Sequence, residues 1–160
     1  MTRLVVFACG NESRGDDALG PILLRHIQER FPALECIVDF QLNIEHALDL
    51  VGADLALFID ADVSAPAPFR FERLQPTPHV PHSTHALHPD AVLAVYRQLQ
   101  KTEPPPSFVL GIRGNAFELG TGLSATAQRH LAAAMDFVER LLGDTTLARW
   151  SGLVTGPAHA

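Results

Sequence analysis

The chain is poor in aromatic and sulfur chemistry: its 160 residues include one Trp, one Tyr and two cysteines, Cys9 and Cys36. The cysteines do not form a C-x-x-C pair, which removes the usual zinc-ribbon and dithiol-redox patterns. Each lies in or at the end of an apolar run and reads as a buried, reduced thiol. No apolar run approaches the ~20 residues that a membrane helix needs. The first run, RLVVFACG, is too short and too soon followed by charge to be a signal peptide, so a cytoplasmic protein with no membrane partner is expected. Basic residues are outnumbered, with 12 Lys and Arg against 18 Asp and Glu and a net charge of −6. That balance argues against a nucleic-acid partner and permits a neutral or basic peptide one. Several catalytic signatures are missing as well: the P-loop lysine pattern, G-x-G-x-x-G, H-E-x-x-H and the G-x-S-x-G elbow.

What is present is enough apolar material, 47% of residues, for one domain with a real core. No repeat or linker divides the chain, so residues 1–160 are expected to form a single domain. The runs Arg3–Cys9, Leu34–Asp39, Leu55–Ile59 and Phe108–Ile112 read as buried strands, and Phe69–Leu74, which alternates, as a half-exposed edge strand. Helical spacing appears over Leu19–Phe31, with Pro21 near its start. A short helix over Ile44–Val51 would bury Ile44, Ala47, Leu48 and Val51. A third helix opens at Pro89 and would bury Val92, Val95, Tyr96 and Leu99. A last one is capped by Ser124, faces inward through Leu131, Met135, Val138 and Leu142, and stops at Gly143. Buried strands alternating with amphipathic helices predict a three-layer α/β/α fold: a mostly parallel, twisted sheet of about five strands with helices on both faces. Periodicity fades after Gly143, so residues 144–160 are expected to form a loosely packed tail.

In such folds ligands gather beyond the carboxyl ends of the strands. Loops at that edge carry Asp16 and Asp17, Asp60 and Asp62, and the stretch HVPHSTHALH with His79, His82, His85 and His88. One carboxylate from each acidic loop and one imidazole make an O, O, N ligand set. The plainer readings are a cap or helix-dipole role for Asp16 and a turn role for Asp62. In GNESRGDDALG the adjacent carboxylates would repel phosphate, which argues against a nucleotide site.

The stretch VFACGNESRGDDALGP resembles the N-terminal signature of the hydrogenase maturation proteases, endopeptidases that trim the C-terminus of the [NiFe]-hydrogenase large subunit. Further likenesses follow in order: DFQLNIEHALDL, LALFIDAD, STHALHPDAVLAVYRQL and LGIRGNAFELGTGLS, so the resemblance runs from about residue 3 to residue 142. The LGIRG and FELG wording is nearest to the branch serving soluble, NAD-reducing hydrogenases. The resemblance implies a peptidase whose partner is the precursor large subunit and whose nickel is supplied by that substrate, not held tightly by the free protein. It places the metal-contacting residues at Asp17, Asp60 and His85, which are also the implied catalytic residues; Asp17 stands where the family has either acid. Asp16 is left with two readings, fixing the loop or acting as a second catalytic carboxylate. For Gln41 and Glu45 the choices are substrate contact or helix capping. Glu118 and Arg113 read as structural, with Arg113 alternatively meeting the substrate tail.

His79, His82 and His88 have no counterpart in that pattern. Pro78, Pro81 and Pro89 prevent one helix through the stretch. An extended polyproline-like segment, at about three residues per turn, would align all four histidines on one side, which makes an auxiliary nickel-gathering strip one reading and an exposed His-rich loop the other. The other function classes open to the sequence are a nickel-binding maturation chaperone without protease activity and an unrelated metal-dependent hydrolase.

Overall fold

The structure, a computed structural model, describes residues 2–80 and 87–155. Five strands, β1 (Leu4–Cys9), β2 (Glu35–Asp39), β3 (Leu55–Asp62), β4 (Phe69–Arg73) and β5 (Ser107–Arg113), form one sheet in the order β2-β1-β3-β5-β4. Every pairing is parallel except that of β4 with β5. The helices are α1 (Leu19–Arg30), α2 (His46–Asp49), α3 (Pro89–Gln100), α4 (Ala125–Leu142) and α5 (Leu147–Gly152). This is the α/β/α arrangement expected from the sequence, with the alternating strand Phe69–Arg73 on an edge.

Strand alternation divides the core into two layers. Leu4, Val6 and Ala8 of β1 join Leu57, Ile59, Phe108 and Leu110 under α1, α4 and α5. Val5 and Phe7 point the other way and pack with Ala56 and Phe58 under α2 and α3. Both faces of the central strands are therefore dry, which is why they read as unbroken apolar runs.

The structure corrects four details. β3 does not end at Ile59: Asp60, Ala61 and Asp62 continue the ladder against Gly111, Ile112 and Arg113. The second helix is shorter than Ile44–Val51 and is rotated. His46, Ala47 and Leu50 are buried, while Ile44, Leu48 and Val51 are exposed. His46 sets that rotation, because its ring lies edge-on to Phe7 and its Nδ1 accepts the Asn43 N–H at 2.9 Å. Leu99, expected on the buried face of α3, is exposed; the buried face ends at Tyr96. The fourth correction concerns the tail. Residues 144–155 are not loosely packed: α5 is capped by the Thr146 hydroxyl, and Trp150 is fully buried against Phe71 and Phe108. The indole N–H donates to the carbonyls of Leu141 and Asp144, and Thr155 bonds to Phe71 on β4. One large aromatic with its polar atom satisfied compensates for the weak periodicity of this segment.

No helix among the described residues is long and apolar enough to cross a membrane.

Candidate active site at the sheet switch point

From β1 the chain passes to β2 on one side, then returns to β3 on the other. The order in which strands are added reverses there, and the crevice at the carboxyl ends of β1 and β3 is the usual ligand position of an open α/β sheet. Asp17 lies in the loop after β1 and Asp60 near the carboxyl end of β3, so the two carboxylates flank that crevice.

Two glycines shape it. Gly10 ends β1 with φ +149°, and a Cβ there would overlap the Asp17 carbonyl oxygen. Gly20, in the first turn of α1, would place a Cβ 2.9 Å from the Cys9 carbonyl and 3.1 Å from that of Ile59. Only glycine lets the helix start approach both strand ends so closely, and this approach holds Asp17 over the end of β3.

The neighbouring acids Asp16 and Asp17 have separate fates. Asp16 is fully buried and accepts bonds from Asn115 N–H (2.8 Å), Ala116 N–H (3.0 Å), Ser124 N–H (2.8 Å) and the Ser124 hydroxyl (2.9 Å). Burial pushes its pKa up, but the three backbone N–H groups and the hydroxyl outweigh it and hold the carboxyl below its ordinary value. Asp16 thus ties the β1–α1 loop to the loop before α4. Of its three sequence readings, fixing the loop is the one the geometry fits: Asp16 is the N-cap of neither the 3-10 turn nor α1, and both its oxygens are engaged. Asp17 is half-buried and uses one oxygen to accept the Asn11 N–H at 2.7 Å.

Asp60 is the most perturbed acid. Its Oδ1 accepts the Ala61 N–H at 2.8 Å. Burial is the main force on it, and the charges of Asp17 and Asp62 add to burial; the Ala61 N–H offsets only part, leaving a pKa pushed up to about 7. A carboxyl that titrates near neutrality between two other acids is suited to proton transfer or to accepting a cation. Asp62 is the last residue of β3, not a turn residue as its plainer reading had it, although its side chain braces the turn that follows. It accepts from the Ser64 amide and hydroxyl and pairs with Arg70.

His85 lies outside the described residues, as does His82. Among the described residues, no three His, Cys, Asp or Glu side chains converge in a way that could hold a metal. His88 precedes α3 as its N-cap residue. Arg113 is engaged structurally: its guanidinium donates to the Ala65 carbonyl and the Asn115 side chain, and its carbonyl faces His130 Nδ1 at 2.8 Å. Gln41 and Glu45 are exposed and Glu45 supplies no side-chain cap to α2; the carbonyl of Glu118 accepts the Thr121 hydroxyl at 2.7 Å.

Three residues at this edge have no site role in the sequence reading, which takes Cys9 only as a buried thiol. Burial pushes the Cys9 thiol up to about 12, and Asp60, Asp17 and Asp39 add to the effect, so all three acids face one small region. Asp39 closes β2 as Asp60 closes the apolar part of β3, and that parallel was the available signal. The third is His46. Its Nδ1 accepts a backbone N–H, so the neutral ring carries its proton on Nε2, 3.7 Å from the Asp39 carboxylate. Nothing in its spacing distinguished it from a helix-surface histidine.

No protein-family model matches the chain, and no curated protein matches it by sequence. Solved structures do match. The [NiFe] hydrogenase maturation protease HycI of Thermococcus kodakarensis KOD1 superposes with a TM-score of 0.67 at 19% identity, covering 89% of this chain and 94% of that one. The hydrogenase maturating endopeptidase HybD of Escherichia coli gives 0.66 at 23% identity, covering 89% and 93%. The hydrogenase 2 maturation peptidase of Thaumarchaeota archaeon SCGC_AB-539-E09 gives 0.63 at 19%, covering 89% and 99%. The chain therefore has the fold of the hydrogenase maturation proteases over nearly its whole length.

Proposed function

We propose that the protein is an endopeptidase that removes a C-terminal peptide from the nickel-loaded precursor of a [NiFe]-hydrogenase large subunit. The observation that carries this reading is the placement of Asp17 and Asp60 across the switch-point crevice of this fold. The ordered sequence likenesses from VFACGNESRGDDALGP to LGIRGNAFELGTGLS support it. They also support assignment to the branch serving soluble, NAD-reducing hydrogenases, acting in the cytoplasm.

The metal in this scheme belongs to the substrate. Nickel accepts carboxylate and imidazole as well as thiolate. Asp17, Asp60 and His85 add ligands to it and so hold the precursor's tail against the crevice. That positioning supplies part of the rate acceleration, and the cation polarises the scissile carbonyl or the attacking water. Asp60 must be ionised to bind a cation; since it titrates near neutrality in the free protein, docking of the loaded precursor drives its proton off. Asp16 acts indirectly, by anchoring the loop that carries Asp17.

The test is incubation with a verified cognate precursor, nickel-loaded or nickel-free, read by intact mass. Loss of a C-terminal peptide from the loaded form alone is expected, and His85→Ala should abolish it. No cleavage of either form would defeat the protease reading and favour a nickel chaperone. Equal cleavage of both would remove nickel from recognition.

A further inference from the structure

Beside the switch-point crevice lies an open cleft of about 460 Å³, walled by the Gly10–Ser13 turn and by Pro21, Val38, Asp39 and Phe40. It shares Gly10 and Asn11 with the site, and Asn11 donates its N–H to Asp17. Its apolar wall is unusually open: Val38 is 55% and Phe40 74% exposed. Both lie at the end of β2, which pairs with β1 alone. The Asp39 carbonyl accepts the Gly10 N–H, so by strand alternation the backbone groups of Val38 face the unpaired edge. Phe40 directly follows β2, and a large exposed phenylalanine beside a free strand edge is a liability unless something covers it.

The occupant follows from charge and continuity. Residues 31–69 hold seven Asp or Glu and no Lys or Arg; Arg3 pairs with Glu35 and Arg25 with Glu12, so among the described residues Asp39 is the acid of the cleft that no Lys or Arg neutralises. The cleft adjoins the crevice through Gly10 and Asn11. We propose that the β2 edge, through Val38 and Phe40, docks an extended segment of the precursor bearing an apolar side chain flanked by basic ones, at a distance from the bond to be cut. This rests on the peptidase reading above and adds a specificity surface to it. Strand addition supplies backbone hydrogen bonds, and Phe40 and Val38 supply side-chain selection.

The experiment is steady-state cleavage of nickel-loaded precursor by the wild type and by Phe40→Ala, Val38→Ala and Leu99→Ala. Leu99 is an equally open leucine on α3. Phe40→Ala and Val38→Ala should raise KM, Phe40→Ala by about ten-fold given what burying a phenyl ring contributes. Both should leave kcat within about two-fold, the pattern of lost uniform binding; Leu99→Ala should change neither. Unchanged KM in both β2 variants overturns the docking site while leaving the peptidase reading intact, and so does an equal effect from Leu99→Ala. A wild type that sediments as a dimer and becomes monomeric on Phe40→Ala would assign the edge to self-association instead. A wild type that cleaves no verified precursor defeats the peptidase reading, and the docking site falls with it.

Discussion

Replacing Asp60 by Asn should stabilise the protein at alkaline pH, and the size of the effect follows from the site. The folded carboxyl titrates at about 7 against an ordinary 3.8. Between those values the folded state holds a proton that the unfolded state has released. Stability contributed by this group is therefore greatest below about pH 4, falls as pH rises toward 7, and is flat beyond. The full difference of about 3 pK units corresponds to about 4 kcal/mol. Asp60 is not sealed from solvent, and screening of its repulsion with Asp17 and Asp62 reduces the expected value to roughly 2 kcal/mol. An asparagine side-chain oxygen can still accept the Ala61 N–H, so the substitution removes charge without removing the bond. Urea unfolding of both proteins at pH 4, 6 and 8 isolates the effect of this charge and its repulsion with Asp17 and Asp62, because contributions from acids that do not face Asp60 cancel in the difference. The gap between Asp60→Asn and wild type should widen in favour of the variant from pH 4 to pH 8. A gap that does not change with pH, or a variant less stable at pH 8 than at pH 4 relative to wild type, would falsify the claim that burial and Asp17 strain this carboxyl.

Three further outcomes are expected. Asp16→Ala leaves three buried N–H groups and a hydroxyl without their acceptor and should cost about 3 kcal/mol in urea unfolding; since the folded carboxyl titrates low, that contribution should persist at neutral pH and fade only as pH falls below about 4. Trp150→Ala should cost about 3–5 kcal/mol, and a chain ending at residue 145 should be destabilised comparably; full stability of either variant would return residues 144–155 to the status of a loose tail. Cys9, with its thiol pushed up to about 12, should resist iodoacetamide at pH 8 in the folded protein and react once the protein is unfolded in urea. Rapid labelling of folded Cys9 would show a thiolate that the surrounding acids should forbid.

Much of this architecture is legible from periodicity. β1, β3 and β5 are buried on both faces and so carry unbroken apolar runs, while β4 lies on an edge and alternates. Periodicity fails where a tertiary contact outranks it. In the α2 region the spacing of Ile44, Leu48 and Val51 suggests an inward face, yet a buried polar residue, His46, sets the rotation through Phe7 and Asn43. Beyond Gly143 a single tryptophan substitutes for a stripe. The site divides the same way. In the proposed site, Asp17 and Asp60 are the acids to which strand ends and a motif both point. Asp39 shares the strand-end signal but had no motif to single it out.

The contrast between Asp16 and Asp17 explains why two adjacent acids are needed. A carboxylate aimed at an electronegative crevice is repelled by Asp60 and would be expected to swing away if its loop were free. Asp16 prevents that by placing a satisfied buried charge one residue earlier, bonded to a loop about a hundred residues distant in sequence. The bonds that hold Asp16 ionised leave it no free oxygen for chemistry, and they are what permit its neighbour to remain half-buried with one oxygen to spare. The glycines complete the device: Gly10 admits the Asp17 backbone, and Gly20 admits the helix start. A proton on Asp60, whose pKa is pushed up to about 7, relieves that repulsion, and in the proposed function a cation would do the same. Under the proposed function this repulsion would favour a positively charged guest, and the proposed docking edge of β2 would be the approach along which an extended chain carries one in.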